Sequence, residues 1–148
     1  MLLSQIQSSM DVNAHAEMER IVSESDLAQL KAYVHLPTVT SHQRAMVETL
    51  ETTAVLVDSE QIPPDVVTMN TTIECMVLGS ANTYHWTLVY PDRADYMMGR
   101  LSVLSPAGIS LFGARCGQTV ICRPPSGVHI RYVIKAILQQ PESRHLAQ

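Results

Sequence analysis

At Ser59–Asp65 (SEQIPPD) the hydrophobic pattern of this chain changes period, and that change limits what the chain can fold into. Pro63 and Pro64 enforce an extended backbone and exclude helix across the junction. Before it, apolar residues recur at helical spacing; beyond it, they alternate every second residue. A chain of 148 residues with such a break predicts one domain, or a small domain with an appendage: a helical part followed by a sheet.

In the helical part, Leu27, Leu30 and Val34 form one apolar stripe, with Asp26 a candidate cap and Ser23 and Ser25 its competitors. Pro37 stops this helix. Leu36–Ser41 is a connector, and Thr40 or Ser41 can cap a second helix. That helix places Met46 or Val47, Leu50, Ala54 and Val57 on one side and leaves Gln43, Arg44, Glu48 and Glu51 mostly outside the stripe. Two amphipathic helices on a short loop are expected to pack antiparallel over residues 23–58. Each alone is marginal, so the pair needs further packing. Residues 1–22 carry a stripe of Leu3, Ile6 and Met10 followed by a polar run, and are expected to be a tail, frayed or else helical and packed on a neighbouring subunit.

Residues 65–140 read as an antiparallel sheet with one short helix. Ile73, Cys75 and Val77 alternate with Glu74, Met76 and Leu78; GSANT (79–83) is a hairpin loop; Tyr84, Trp86, Leu88 and Tyr90 share the next strand face. Pro91–Arg100 is a loop. The strand at Leu101 and Val103 leads into Ser105, whose hydroxyl suits a helix cap, and Pro106, which suits the first helical position. Gly113 can close that helix in the left-handed conformation. Gln118–Arg123 and the alternation Val128, Ile130, Tyr132, Ile134 supply two more strands, and the polar residues 141–148 read as a loose tail.

The bulk numbers exclude several functions. A net charge of −4 argues against a nucleic-acid binder that works by phosphate neutralisation, so a protein partner is expected and direct sequence-specific nucleic-acid binding is not. Three cysteines without C-x-x-C spacing disfavour a disulfide framework or zinc site and fit a reducing cytoplasm. No apolar run approaches membrane-spanning length, and the N-terminus has no secretion-signal pattern. His35 and His42 flank the connector, yet lack a third ligand nearby, so no metal or other cofactor is expected. Tyr84, Trp86 and Tyr90 lack the basic interleaving of a base-stacking platform and read as core.

The run S-P-A-G-x-x-L-F-G-x-x-x-G-x-x-V from Ser105, with IPPDVVTMN (62–70) and TLVYP (87–91), resembles the C-terminal region of the GreA/GreB transcription elongation factors, and in particular the short Rnk branch of that family. The likeness runs from about Asp26 to Glu142. It implies an α+β architecture: a short N-terminal antiparallel helical hairpin and an FKBP-like antiparallel sheet with one short helix. It also implies RNA polymerase as partner, docked at the rim of the secondary channel through the corner Leu104, Ser105, Pro106 and Ala107. An Asp often precedes the Ser-Pro pair in the family, and this chain has Leu104 there.

In the family's cleavage factors, acidic residues at the tip of a long coiled coil help hold a magnesium ion in the polymerase active site. A hard cation wants carboxylate oxygens at about 2 Å. Here the tip, with His35, Thr38, Thr40, Ser41 and His42, holds no Asp or Glu, and a first helix of about 12 residues would reach only about 18 Å. The resemblance therefore implies a cytoplasmic, non-catalytic regulator that competes with Gre factors without stimulating transcript cleavage. The rival readings are an FKBP-like peptidyl-prolyl isomerase, a true cleavage factor, and a direct kinase regulator, as the Rnk name suggests. Against the isomerase stands the scarcity of aromatics, with one Phe, one Trp and five Tyr.

Overall fold

A computed structural model describes residues 19–146. The expected tail at 1–22 therefore lies outside the described residues except at its end, where Ile21–Ser23 forms a short strand, β1. Helix α1 (Glu24–Tyr33) follows at once. Its cap is Ser23, whose Oγ accepts from the Asp26 amide at 3.1 Å, so Asp26 is not the cap. A connector leads to α2 (Ser41–Thr53), capped by Thr40 in a reciprocal capping box with Gln43.

The second helix is shorter than its stripe predicts. Ala54 is already extended and Val57 belongs to β2 (Val55–Val57), which pairs parallel with β1 in the register Ile21↔Val55. Leu50, Ala54 and Val57 fit a helical period, but Thr52, Thr53, Val55 and Val57 are β-branched and stiff at χ1, which disfavours continuing the helix.

Beyond the prolines, β3 (Thr72–Val77), β4 (Thr83–Val89), β5 (Arg100–Ser102), β6 (Thr119–Cys122) and β7 (Ile130–Gln139) form one sheet in the order β5-β4-β3-β7-β6. β3 pairs antiparallel with β4 and β7, and β6 with β7. The expectation of an all-antiparallel sheet is corrected at one edge, because β5 runs parallel to β4. The segment read as a plain loop makes this possible. It forms two 3-10 turns, Pro91–Arg93 and Tyr96–Met98, and Gly99 in the left-handed region (φ 76°) turns the chain back beside β4. Helix α3 (Pro106–Leu111) lies between β5 and β6.

The helices and the sheet share one core. Val22, Leu27, Leu30, Val39, Val47 and Leu50 belong to the same buried cluster as Ile73, Trp86, Leu101, Phe112, Val120 and Ile134. Burying a large aliphatic side chain gives about 1.5–3 kcal/mol, so these helix contacts outweigh what isolated helices of 10 and 13 residues could supply themselves. The Lys31–Glu51 ion pair between the helices, at 2.6 Å, is exposed and contributes at most about 1 kcal/mol.

Polar contacts fix the same docking. Tyr33 stacks on Tyr90 with centroids 5.2 Å apart, its hydroxyl donates to Asp92 at 2.7 Å, and the Asp26 carboxylate accepts from the Met69 amide at 3.3 Å. The start of the expected loose tail, and Gln140 just before it, are docked. Gln140, 3% exposed, donates to the carbonyls of Pro63 and Val66, and α4 (Pro141–Leu146) brings Glu142 to the Thr68 hydroxyl at 2.7 Å.

Candidate functional site

The Ser105–Pro106 corner is built by two serines and a glycine. After β5, the Ser102 Oγ accepts from the Leu104 amide at 3.1 Å, while its carbonyl accepts from both the amide (3.0 Å) and the hydroxyl (2.6 Å) of Ser105. The Ser105 hydroxyl in turn accepts from the Gly108 amide at 3.0 Å, capping α3, and Pro106 opens the helix without a wasted donor. Gly108 is required by contact. A Cβ there would sit 2.0 Å from the Ser102 carbonyl oxygen. Gly113, at φ 81°, ends this stretch and lets β1 approach, since its own Cβ would meet Val22 and the Ile21 carbonyl at 3.0–3.1 Å.

The four sequence-predicted residues do not stand alike. Ser105, Pro106 and Ala107 are half-buried and present a continuous short surface. Leu104 is only 5% exposed and packs in the core. It sits under the corner rather than on it, with Ser105, Pro106 and Ala107 more exposed. Its carbonyl is held from outside: Gln43 Nε2 donates to it at 3.1 Å. The same Gln43 side chain accepts from the Thr40 amide at 2.8 Å, so one residue caps α2 and ties it to the corner.

Sequence reasoning placed Gln43 off the apolar stripe and missed this role. The T-x-x-Q spacing from Thr40 signals the capping box. Nothing local signals the reach to Leu104, 61 residues on.

The connector residues His35, Thr38, Thr40, Ser41 and His42 are exposed. Val39 among them is 6% exposed and draws the connector onto the core. Arg44 anchors it as well, its Nε donating to the Val34 carbonyl at 3.0 Å. Among the described residues, no group of three or more His, Cys, Asp or Glu side chains could hold a metal ion.

Elsewhere the titratable groups serve packing. Burial pushes the Cys75 thiol up to about 12 and also raises that of Cys122, which leaves both as unreactive core thiols. Burial raises the Asp26 carboxyl to about 6, against the lowering effect of the Met69 amide and with a further push from Glu142. Trp86 packs on Tyr84 at 5.0 Å and on Tyr132 at 5.4 Å, with Tyr96 tilted against the indole at 6.4 Å.

The family model described as transcription elongation factor GreA/GreB, C-terminal, matches residues 62–139, from the proline junction to the end of β7. The chain belongs to the GreA/GreB family. The Ser105–Pro106 corner and the whole five-stranded sheet fall inside the matched region; α1, α2 and their connector fall outside it.

Among relatives of this GreA/GreB member, the regulator of nucleoside diphosphate kinase of Escherichia coli strain K12 is 34% identical over 84 residues, covering 57% of this chain and 62% of that protein. The chain thus spans less than two thirds of that regulator's length. Transcription elongation factor GreA of Chloroherpeton thalassium is 30% identical over 115 residues, 76% of this chain and 72% of that one. A solved GreA/GreB elongation factor from Nitrosomonas europaea superposes with a TM-score of 0.66 at 32% identity, covering 82% of this chain and 98% of the other.

Proposed function

We propose that this GreA/GreB family member is a non-catalytic, Rnk-like regulator of transcription elongation. It binds RNA polymerase at the rim of the secondary channel and competes there with cleavage-stimulating Gre factors. On this reading the sheet and α3 are the FKBP-like module that docks, through Ser105, Pro106 and Ala107, while α1 and α2 are a blunt appendage.

The observation that carries the reading is the state of the helical part. Helices of 10 and 13 residues are about 15 and 20 Å long. Both contribute residues to the sheet's own core, and the connector between them has no carboxylate. Such a unit neither projects far nor carries the hard oxygen ligands that a catalytic magnesium ion needs. The isomerase reading gains nothing from the fold alone, because a shared fold does not carry activity, and Trp86 is itself packed between Tyr84 and Tyr132.

A pull-down with core RNA polymerase tests the docking surface. The native chain should be retained and should be displaced by a full-length Gre factor. The Ser105→Ala/Pro106→Ala double variant, shown by circular dichroism to keep its fold, should lose retention at least tenfold. Unchanged retention by a folded double variant would remove the corner from the interface.

A further inference from the structure

The described chain begins at the edge of a groove. A cavity of about 390 Å³ runs between α2, α3 and β6, floored by Met46, Leu50, Ile109 and Ile121 and bordered by Arg20 and Arg123. That volume lies in the range of about 300–1,000 Å³ typical of sites that hold a ligand. The residues lining it include no Asp or Glu.

Arg20 belongs both to this groove and to the root of the N-terminal segment. Its backbone is clamped, with its carbonyl accepting from the Val55 amide at 2.8 Å and the next amide, Ile21, donating to Gly113 at 3.0 Å. The start of the described chain is therefore held at the edge of the groove. Its guanidinium is enclosed, and Nη1 meets no hydrogen-bond partner among the described residues. Burial also lowers its pKa to about 10. A buried donor left without a partner is costly, so a partner for Nη1 is favoured.

Residues 1–18 supply what the groove lacks. Leu3, Ile6 and Met10 recur at helical spacing, and Asp11 and Glu17 bring two carboxylates. Ten residues separate Met10 from Arg20, about 15 Å if helical and up to about 33–36 Å if extended, and α2 is about 20 Å long. The reach is sufficient to fold back over the groove.

We propose that residues 1–18 of the same chain occupy the groove between α2, α3 and β6, with Leu3, Ile6 and Met10 on its apolar floor and an acidic residue of the segment facing Arg20 and Arg123. The occupant is thus the chain's own N-terminus, and the groove is an intramolecular seat.

Methyl-labelled NMR of the full chain tests this. Nuclear Overhauser contacts are expected from the Leu3 and Ile6 methyls to those of Met46, Ile109 and Ile121. The Leu3→Asp/Ile6→Asp variant, altered only outside the described fold, should abolish them and shift the groove methyl resonances. Thr49→Arg, on the exposed groove wall, should do the same from the other side. Mixing differently labelled chains separates the occupants. Contacts seen only between chains would assign the groove to a second copy and overturn the proposal, as would groove resonances unmoved by Leu3→Asp/Ile6→Asp.

Discussion

Asp26 is a small residue-scale test of how the helices are held. It sits where its amide is taken by Ser23 and its carboxylate reaches Met69 across the junction with the sheet part. Burial raises its pKa from 3.8 to about 6. The folded chain therefore holds this proton more tightly than the unfolded chain, so unfolding free energy falls as pH rises from about 4 through about 6. Asp26→Asn keeps an acceptor for Met69 and removes the charge. At pH 7 it should stabilise the protein by about 1–3 kcal/mol in urea titrations, and the difference should vanish below pH 4. A variant less stable at pH 7 would contradict the placement. Gly108 gives the opposite sign. Gly108→Ala drives a methyl onto the Ser102 carbonyl, 2.0 Å away, so it should cost more than about 3 kcal/mol and disorder the corner. A thermal midpoint within 2 °C of the native chain would show that the corner has room it is not expected to have.

At the scale of elements, α2 is the hinge of the account, because Gln43 links its own cap to the Leu104 carbonyl. Gln43→Ala loses both, and should lower stability by about 1–2 kcal/mol while amide exchange quickens at Leu104–Gly108 as well as at Thr40–Arg44. Quickening confined to α2 would show that the corner is held independently. The same element marks how far the sequence could be read. The first part of each helical stripe (Leu27 and Leu30, then Val47 and Leu50), the Ser105 cap with Pro106, and the period-two strands β3, β4 and β7 are local patterns and stand in the structure where the spacing puts them, whereas Ala54 and Val57 leave the helix. What failed depends on distant partners. β1 and β2 are three residues each and exist by pairing across 34 positions, from Ile21 to Val55. β5 joins the sheet parallel only because two turns bring it back beside β4. The C-terminal residues look polar and loose until Gln140 finds the Pro63 and Val66 carbonyls. At the corner, the chain's own chemistry gave the cap, while the burial of Leu104 could be seen only once α2 was laid against it.

At the scale of the molecule, one core spans both sides of the proline junction. Helix content followed at 222 nm and the single Trp86 in the sheet should then lose signal in one coincident transition. Two separated midpoints would describe a detachable hairpin instead. That unity bears on function, since helices spent on the sheet's core are not available as a long probe. The most direct measurement is a titration of this protein into backtracked RNA polymerase complexes carrying a saturating cleavage-stimulating Gre factor. The account predicts that shortened transcripts decline as the protein is added and that none form with the protein alone. Transcripts shortened by the protein alone, or Gre-driven cleavage untouched at a large molar excess, would contradict it.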